Sequence, residues 1–267
     1  MITLSELAIY PIKSTAQISL SSAQTGPFGL DNDRRWMLID DNGYMLTQRK
    51  HPRMCLIESR LVNDRLIVSA TGMQALSIVP PDSAKTTTAI VWEDTCTAYD
   101  AGKEASEWFS SFLKTPTRLV YFPQNEIRQV DLNYAKKGDI TAFSDGFPYL
   151  LISQASLDDL NGRLSSAVEM KRFRPNIVVK GNEPFEEDNW RQVRIGGIDF
   201  NFVKPCSRCV IPSINPVTAE KTADVVKTLA SYRMRDNKIV FGQNLIAKGS
   251  GKLEIGMEVE IISTVKP

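Results

Sequence analysis

The sequence contains one histidine, four cysteines and no long apolar run, and each scarcity removes a class of function. His51 is the only histidine, which argues against a Ser-His-Asp triad or a Cys-His pair unless His51 itself is the histidine of that site. A zinc site built on several histidines is excluded. Because Pro52 and Arg53 follow it, we interpret His51 as a polar loop residue. Any catalysis must therefore rest on sulfur, carboxylates, cations or a cofactor.

The sequence also lacks an excess of charge of either sign. Its 32 Lys and Arg residues nearly balance 31 Asp and Glu residues, so the formal net charge is +1. Such a balance gives no general attraction for nucleic acid or for anionic lipid. No segment approaches the ~20 apolar residues that span a bilayer, and the N-terminus lacks the pattern of a signal peptide. We predict a cytoplasmic protein that uses neither nucleic acid nor membrane as a partner.

The cysteines are too few and too unevenly spread for a disulfide scaffold, but two of them form a close pair. Cys206 and Cys209 lie in the run at residues 204–209, beside a lysine and an arginine. Nearby cations favour the thiolate, the form that acts as nucleophile or metal ligand. Pro205 predicts a bend rather than a regular element. Taken alone, the spacing fits a redox dithiol, or half of a zinc site that the other two cysteines would have to complete.

Most of the remaining chain is typical of short strands separated by tight turns. Asn42-Gly43 and Gly196-Gly197 each lie between apolar runs, and both dipeptides predict hairpins. Further strands are predicted within residues 56–68, 75–79, 177–179, 239–247 and 252–262, the last interrupted at Gly256. Many short strands of this kind are typical of barrels or sandwiches.

Helices are few. Residues 105–113 place apolar side chains on one face, residues 156–159 resemble a capping box with aspartate as its acid, and residues 225–232 form a third candidate. Residues 115–135 are interpreted as a connector between two lobes. We therefore predict a mainly β fold, with a minor α+β component, in two β-barrel-like lobes that carry a few short helices.

Several cations lie at the ends of predicted strands in unusual local settings. Alone, each is most simply a charged residue at a strand end. Together with a thiol flanked by cations, they could build a pocket for an anion, because arginine binds phosphate through a fork and lysine supplies a point charge. No glycine-rich phosphate loop occurs in the sequence. The segments are Lys13-Ser14, Asp33-Arg34-Arg35, Phe173-Arg174-Pro175-Asn176 and Phe241-Gly242-Gln243-Asn244.

Six motifs in this order resemble the MOSC-domain proteins, in particular the bacterial YcbX-type proteins and the mitochondrial amidoxime-reducing components. The motifs are Tyr-Pro-Ile-Lys-Ser at 10–14, Gly-Leu-x-x-Asp-Arg at 29–34, Phe-Ser-Asp-Gly-x-Pro at 143–148, Phe-Arg-Pro-Asn at 173–176, Lys-Pro-Cys-x-Arg-Cys at 204–209 and Phe-Gly-Gln-Asn at 241–244. The resemblance runs from residue 2 to about residue 263. It implies a MOSC N-terminal β-barrel domain at residues 1–118 and the MOSC domain, also a β-barrel, at residues 119–267.

The resemblance further implies a molybdenum cofactor bound between the lobes, with Cys209 as the protein thiolate on molybdenum. A soft thiolate suits such a metal, while Cys206 is assigned to packing or modest tuning. Asp145 is the expected carboxylate near the metal and the second catalytic candidate, although an aspartate before Gly146 also fits a turn. The residues expected to contact or line the pterin and its phosphate are Lys13, Ser14, Arg34, Ser144, Gly146, Arg174, Asn176, Ser207 and Arg208.

The implied reaction is a two-electron reduction of N-hydroxylated compounds: hydroxylamines, N-hydroxylated bases and amidoximes. The Cys-x4-Cys-x2-Cys spacing of a plant-type ferredoxin does not occur, so we predict no iron–sulfur cluster in this chain and a separate electron-donating reductase. Pyridoxal phosphate is not supported, because no aminotransferase-like domain accompanies the motifs. Two alternatives stay open: a noncatalytic carrier of the cofactor or of sulfur, and a β-barrel binding module without metal.

Overall fold

The computed structural model describes residues 1–81, 85–222 and 224–265, and within them the protein is mainly β with three α-helices. This confirms the predicted fold class. The end of the predicted second domain, at residue 267, lies outside the described residues. Among the residues described, no helix is long and apolar enough to cross a membrane.

Short strands account for most of the regular structure, as the frequent turns predicted. In the described ranges they are, in chain order, β1 Thr3–Ile9, β2 Ile18–Leu20, β3 Ser22–Gly26, β4 Gly29–Leu30, β5 Trp36–Ile39, β6 Glu58–Val62, β7 Arg65–Ser69, β8 Leu76–Ile78, β9 Thr86–Val91, β10 Asp94–Asp100, β11 Arg118–Tyr121, β12 Tyr149–Ser153, β13 Ile177–Lys180, β14 Trp190–Ile195, β15 Ile198–Ser207, β16 Met234–Arg235, β17 Lys238–Lys248, β18 Lys252–Glu254 and β19 Val259–Thr264.

Three helices cover parts of the sheets: α1 Lys103–Leu113, α2 Gln154–Asn161 and α3 Asp224–Tyr232. The apolar residues predicted to share one face of α1 are all buried. The start of α2 differs from the prediction. Ser153, rather than Ser156, is the N-cap, because its side chain accepts the hydrogen bond from the backbone N–H of Ser156. The Ser156 hydroxyl instead donates to Oε1 of the buried Glu187 at 2.7 Å.

The largest sheet has the order β19-β14-β15-β17-β12-β13-β1-β2, with β16 paired to β17. The first strand, β1, is antiparallel to β13, so the start of the chain lies in a sheet formed mainly by the second half. Large apolar residues from both halves form one core on this sheet, among them Leu7, Tyr149, Trp190 and Phe200. The order therefore makes β15, β17, β12, β13 and β1 neighbours.

Three smaller sheets complete the fold, with the orders β5-β11-β10-β9, β6-β7-β8 and β18-β3-β4. The segment interpreted as a connector, residues 115–135, contains β11, which pairs with β5 and β10. The first part of the segment is therefore regular structure, with Leu119 and Val120 each buried in a hydrophobic core, and its assignment as a connector stays a prediction. The hairpin at Gly196-Gly197 is confirmed. The turn at Asn42-Gly43 forms too, but its second arm is not a regular strand and holds isolated bridges, from Met45 to Ile39 and from Tyr44 to Ile90.

Candidate functional site

The eleven residues predicted from sequence line a single cleft, which we call the cation cleft. These residues are Lys13, Ser14, Arg34, Ser144, Asp145, Gly146, Arg174, Asn176, Ser207, Arg208 and Cys209. They come from five widely separated parts of the chain. The remaining lining residues are Thr47, Arg49, Trp92, Phe147, Leu150, Arg172, Phe173, Cys206, Ile211, Pro212 and Asn244. The roles assigned to the eleven stay predictions, but their proximity is a structural observation.

Sheet order explains why distant residues meet. Lys13 and Ser14 follow the end of β1, and Arg174 and Asn176 precede the start of β13, its antiparallel neighbour. The Ser144–Gly146 segment leads into β12, which is parallel to β13. Ser207 is the last residue of β15, and β17 lies between β15 and β12 in the sheet. The cleft therefore forms where five adjacent strands begin, end or bend.

The backbone is strained at several cleft residues. Twelve described residues other than glycine have a positive φ angle, and five of these are Asn or Asp, which tolerate it. Of the other seven, four line the cleft: Ser14 at 69°, Arg34 at 47°, Trp92 at 57° and Arg174 at 59°. Strained backbone persists only where the surroundings enforce it, and it concentrates at functional sites.

A buried aromatic ring supports two of the arginines. The guanidinium carbons of Arg34 and Arg174 lie 4.3 and 4.1 Å from the centroid of the Tyr10 ring. Burial raises the pKa of Tyr10 to about 12, against the pull of both arginines, so its hydroxyl stays protonated. Arg34 is anchored to Asp33 at 2.5 Å and to the side-chain oxygen Oδ1 of Asn176 at 3.0 Å. Burial lowers the pKa of Arg174 to about 10, which leaves it charged at neutral pH.

Asn176 is fully engaged by protein groups. Its side-chain oxygen accepts from Arg34 and from the backbone N–H of Leu150, and its amide nitrogen donates to the Ala8 carbonyl oxygen at 3.1 Å. The residue is 1% exposed. In this arrangement Asn176 positions Arg34 in the cleft wall.

An ion pair between Lys13 and Asp145 forms the opposite side of the cleft. The Lys13 ammonium is 2.5 Å from Asp145 Oδ1 and donates to the Phe143 carbonyl oxygen at 2.8 Å. Burial lowers the pKa of Lys13 to about 8, although Asp145 works in the other direction. Partial desolvation by the surrounding cleft works against ionisation of Asp145, but Lys13, Arg49 and the Trp92 indole together hold its pKa well below the usual value. Asp145 is therefore an ionised acceptor.

Arg128 fixes the segment that carries Asp145. This buried side chain donates to the carbonyl oxygens of Ala142 at 2.9 Å, Ser144 at 2.6 Å and Asp145 at 3.3 Å. Its Nε donates to Asp94 Oδ2 at 2.8 Å. One arginine thus holds three of the four carbonyl groups between Ala142 and Asp145, so that Ser144 and Asp145 present their side chains from a fixed backbone.

Cys206 lies within β15 and Cys209 two residues past its end, rather than in the bend that Pro205 predicted. Pro205 lies inside β15, between two shifts in the pairing of β15 with β17. Proline is tolerated at such irregularities because no ladder hydrogen bond is required there. Burial raises the pKa of Cys206 more than Arg208 lowers it, so the expected thiolate character is wrong for this cysteine. Cys209 lies three residues further on, half-buried in the cleft wall.

Arg208 closes the cleft floor against Gly242. Its Nε donates to the Phe241 carbonyl oxygen at 2.7 Å and its Nη1 to the Phe173 carbonyl oxygen at 2.8 Å, while the buried Nη2 has no partner among the described residues. Gly242 has φ 78°, and a Cβ there would lie 2.6 Å from Ile152 Cγ1. Only glycine lets β17 pass this closely to Leu151 and Ile152 of β12 beside the arginine.

The charge on the lining residues is unbalanced. Six cations line the cleft, and the carboxylates paired with them in the described structure are Asp145 and, behind Arg34, Asp33. Six positive charges against two negative ones leave a surplus of four. Like charges held close together in a partly buried site are unfavourable unless an anion balances them. The six are Lys13, Arg34, Arg49, Arg172, Arg174 and Arg208.

Sequence reasoning missed four residues that shape the site: Arg49, Trp92, Arg128 and Arg172. Arg172 could have been found, because it lies in the cationic run before Arg174. The other three have no local signal, since tertiary contacts alone bring them to Asp145. The two cysteines outside the pair are buried elsewhere. Across the described ranges, no three His, Cys, Asp or Glu side chains cluster in a way that could hold a metal ion.

A shallower depression, which we call the outer groove, shares part of its wall with the cation cleft. Trp92, Asp145 and Phe147 line both, so they stand at the boundary between the two. The full lining of the outer groove is Arg49, Trp92, Glu93, Asp94, Arg128, Gln129, Asp131, Asp145, Gly146, Phe147, Lys204, Pro205, Cys206, Ser207 and Asn244.

The fold and the cleft define a class of protein, which is mainly β and carries an arginine-rich cleft beside a Cys-x-x-Cys pair. The comparisons with known proteins agree with this class. Residues 1–116 match the MOSC N-terminal beta barrel domain, and residues 139–260 match the MOSC domain. The mitochondrial amidoxime-reducing component 1 of Mus musculus is 35% identical over 97% of this chain and 82% of its own length. Component 2 of Bos taurus is 36% identical over 99% and 81%. The chain belongs to the MOSC family and is homologous to the mitochondrial amidoxime-reducing components.

The cleft residues fit the cofactor that this family implies. A molybdenum cofactor joins a phosphate group to a metal centre that prefers sulfur. The surplus of cations, with the unpartnered Nη2 of Arg208, suits the phosphate, and the free thiol of Cys209 suits the metal. Both features lie in the same cleft, as a single bound group with two such ends requires.

Proposed function

We propose that this protein is a molybdenum-dependent oxidoreductase that reduces N-hydroxylated compounds. The observation that carries the proposal is that a free thiol and a surplus of buried or partly buried cations meet in one cleft. The homology to amidoxime-reducing components supports the same reaction. We also propose that the boundary between the two domains lies near residue 118.

Each side chain would have a separate task. Cys209 would hold molybdenum through its sulfur, while Arg34, Arg174, Arg208 and Lys13 would bind the pterin and its phosphate. When bound, the cofactor would supply the two electrons that, together with two protons, cleave the N–O bond and give the reduced nitrogen compound and water. The arginines hold and orient, since a guanidinium does not give up its proton in a protein.

Asp145 would act as an acceptor and an orienting group rather than as an acid. Its low pKa keeps it ionised at neutral pH. It accepts hydrogen bonds from the Lys13 ammonium and from the Trp92 indole at 3.2 Å, and so fixes both at the cleft mouth. Lys13 Nζ retains its proton up to about pH 8, where it could donate to a group leaving the substrate.

A donor-driven assay tests the proposal. Protein purified from a host that makes the cofactor is expected to contain molybdenum and to reduce benzamidoxime with an artificial electron donor. With NAD(P)H alone it is expected to be inactive, since we propose that the electrons come from a separate reductase. Molybdenum without turnover would favour the noncatalytic carrier. Protein without molybdenum, from a host that loads other molybdoenzymes, would favour the binding module.

The anion affinity of the cleft is expected to fall as the pH rises above about 8. Lys13 loses its proton in this range, and the cleft then loses one of its cations. A charge-assisted hydrogen bond of this kind is worth about tenfold or more in affinity. Sulfate, which does not titrate between pH 7 and 9, is a suitable probe by calorimetry on cofactor-free protein, and Arg174 stays charged over this range. Because Lys13→Arg stays charged, it should abolish the decline. An unchanged pH profile in Lys13→Arg would contradict the assignment.

A further inference from the structure

Trp92 occupies a position that its local structure disfavours. Trp92 and Glu93 form the two-residue turn between β9 and β10, where Asp94 pairs with Val91. Such turns require positive φ angles and favour Gly, Asn or Asp. A bulky aromatic residue at φ 57° is a conformational outlier. Gly, Asn or Asp would suit the backbone of this turn better, so the contacts of the indole side chain must account for a tryptophan at this position.

The indole lies at the mouth of the cation cleft. It is 43% exposed and lines both the cleft and the outer groove. The guanidinium carbon of Arg49 is 4.3 Å from its ring centroid, and its Nε1 donates to Asp145 Oδ1. The ring is therefore held in place by two cleft residues while much of its surface stays open to solvent. A fixed, exposed aromatic surface of this kind binds flat conjugated molecules by stacking.

Asp145 offers a second point of recognition beside the ring. Lys13 and Trp92 both donate to Oδ1, whereas Oδ2 accepts no hydrogen bond from the described residues. The Asp145 side chain is 65% exposed. An ionised oxygen without a protein donor can accept an N–H from a ligand that lies against the indole.

We infer that Trp92 and Asp145 Oδ2 together select planar conjugated N-hydroxylated compounds that carry an N–H donor, such as N-hydroxylated aminopurines and aromatic amidoximes. The ring stacks on the exposed indole, and the N–H beside the hydroxylated nitrogen bonds to Asp145. The N–O group then points from the outer groove into the cleft that holds Cys209. The inference rests on the proposed function, whose substrate class it narrows.

Two substrates and three variants test the selection. The planar probe is 6-hydroxylaminopurine and the non-planar probe is N-cyclohexylhydroxylamine, both reduced with an artificial donor. Trp92→Asn keeps a residue that tolerates the left-handed backbone, so the turn should fold, and Trp92→Phe keeps a smaller ring. Tyr44→Asn is the matched control, because Tyr44 is 54% exposed on the same lobe and lines neither the cleft nor the groove.

Trp92→Asn is expected to lower kcat/KM for 6-hydroxylaminopurine about 10- to 100-fold, mainly through KM, because base stacking on an aromatic side chain has that value. The non-planar probe should change less than about threefold, Trp92→Phe should retain most of the preference, and Tyr44→Asn should match the wild type. Equal losses for both probes in Trp92→Asn, or no loss for either, would overturn the inference.

Binding without turnover separates this inference from the proposed reaction. Adenine, the planar product of the first probe, should bind the purified protein by calorimetry, and about tenfold or more weakly to Trp92→Asn. If the wild type reduces neither probe but binds adenine through Trp92, the proposed reaction fails and the recognition surface stands. If adenine binds wild type and Trp92→Asn equally, the recognition surface is refuted whatever the activity.

Discussion

Replacing Cys209 with alanine is expected to lower N–O reduction by at least about 100-fold. Loss of a group that only orients a metal ligand typically costs 10- to 100-fold, and Cys209 is proposed as the ligand itself. Bound molybdenum should fall less than activity, because the surplus cations of the cleft still hold the phosphate end of the cofactor. The measurement is turnover of benzamidoxime and molybdenum content on the same sample, with the visible absorption as a report on the metal–sulfur bond.

Cys206→Ala is the matched control for this prediction. Cys206 lines the same cleft three residues earlier, and burial keeps it as a thiol. Its replacement should retain metal, absorption and most of the activity. If Cys209→Ala kept wild-type turnover, or if Cys206→Ala lost as much, the two cysteines would not have the separate roles proposed here.

The fold class could be predicted from the sequence because its signals are local. Alternating burial in strands such as β15 and glycine pairs such as Gly196-Gly197 act within a few residues. The errors occurred where a distant contact overrode a local preference. Pro205 is accommodated in β15 because irregular pairing with β17 removes the need for its missing N–H. The Ser156 hydroxyl donates a hydrogen bond to Glu187, and Ser153 is therefore the N-cap of α2.

The candidate site could be predicted only in part, for a related reason. Residues such as Lys13, Arg34 and Arg174 lie in short motifs that a resemblance can match one by one. Arg128 and Trp92 have no motif, and their importance depends on a carboxylate and carbonyl groups that only the folded chain brings near. The sequence also gives no sign that Asp33, beside Arg34, is the buried counter-ion beneath the cleft.

Replacing Asp33 with alanine is expected to destabilise the folded protein by about 3–5 kcal/mol. The Asp33 side chain is 1% exposed and pairs with Arg34, whose side chain is 12% exposed. Its other oxygen accepts the backbone N–H of Tyr10 at 2.8 Å. Removing one partner of a buried ion pair leaves an uncompensated charge, which costs far more than the pair contributes while intact. Urea unfolding of the purified variant measures the loss.

The consequence for the site follows from the same contacts. Without Asp33, the only acceptors that remain for Arg34 among the described residues are Asn176 Oδ1 and the Arg174 carbonyl oxygen at 3.2 Å. The guanidinium on the Tyr10 ring would then lose its fixed position, and sulfate affinity should fall together with stability. Asp33→Asn keeps an acceptor for Tyr10 and should lose less. Asp199→Ala breaks an exposed ion pair with Arg194 and should leave both measurements near wild type. A loss from Asp33→Ala no larger than that from Asp199→Ala would mean that Asp33 does not hold the cleft wall.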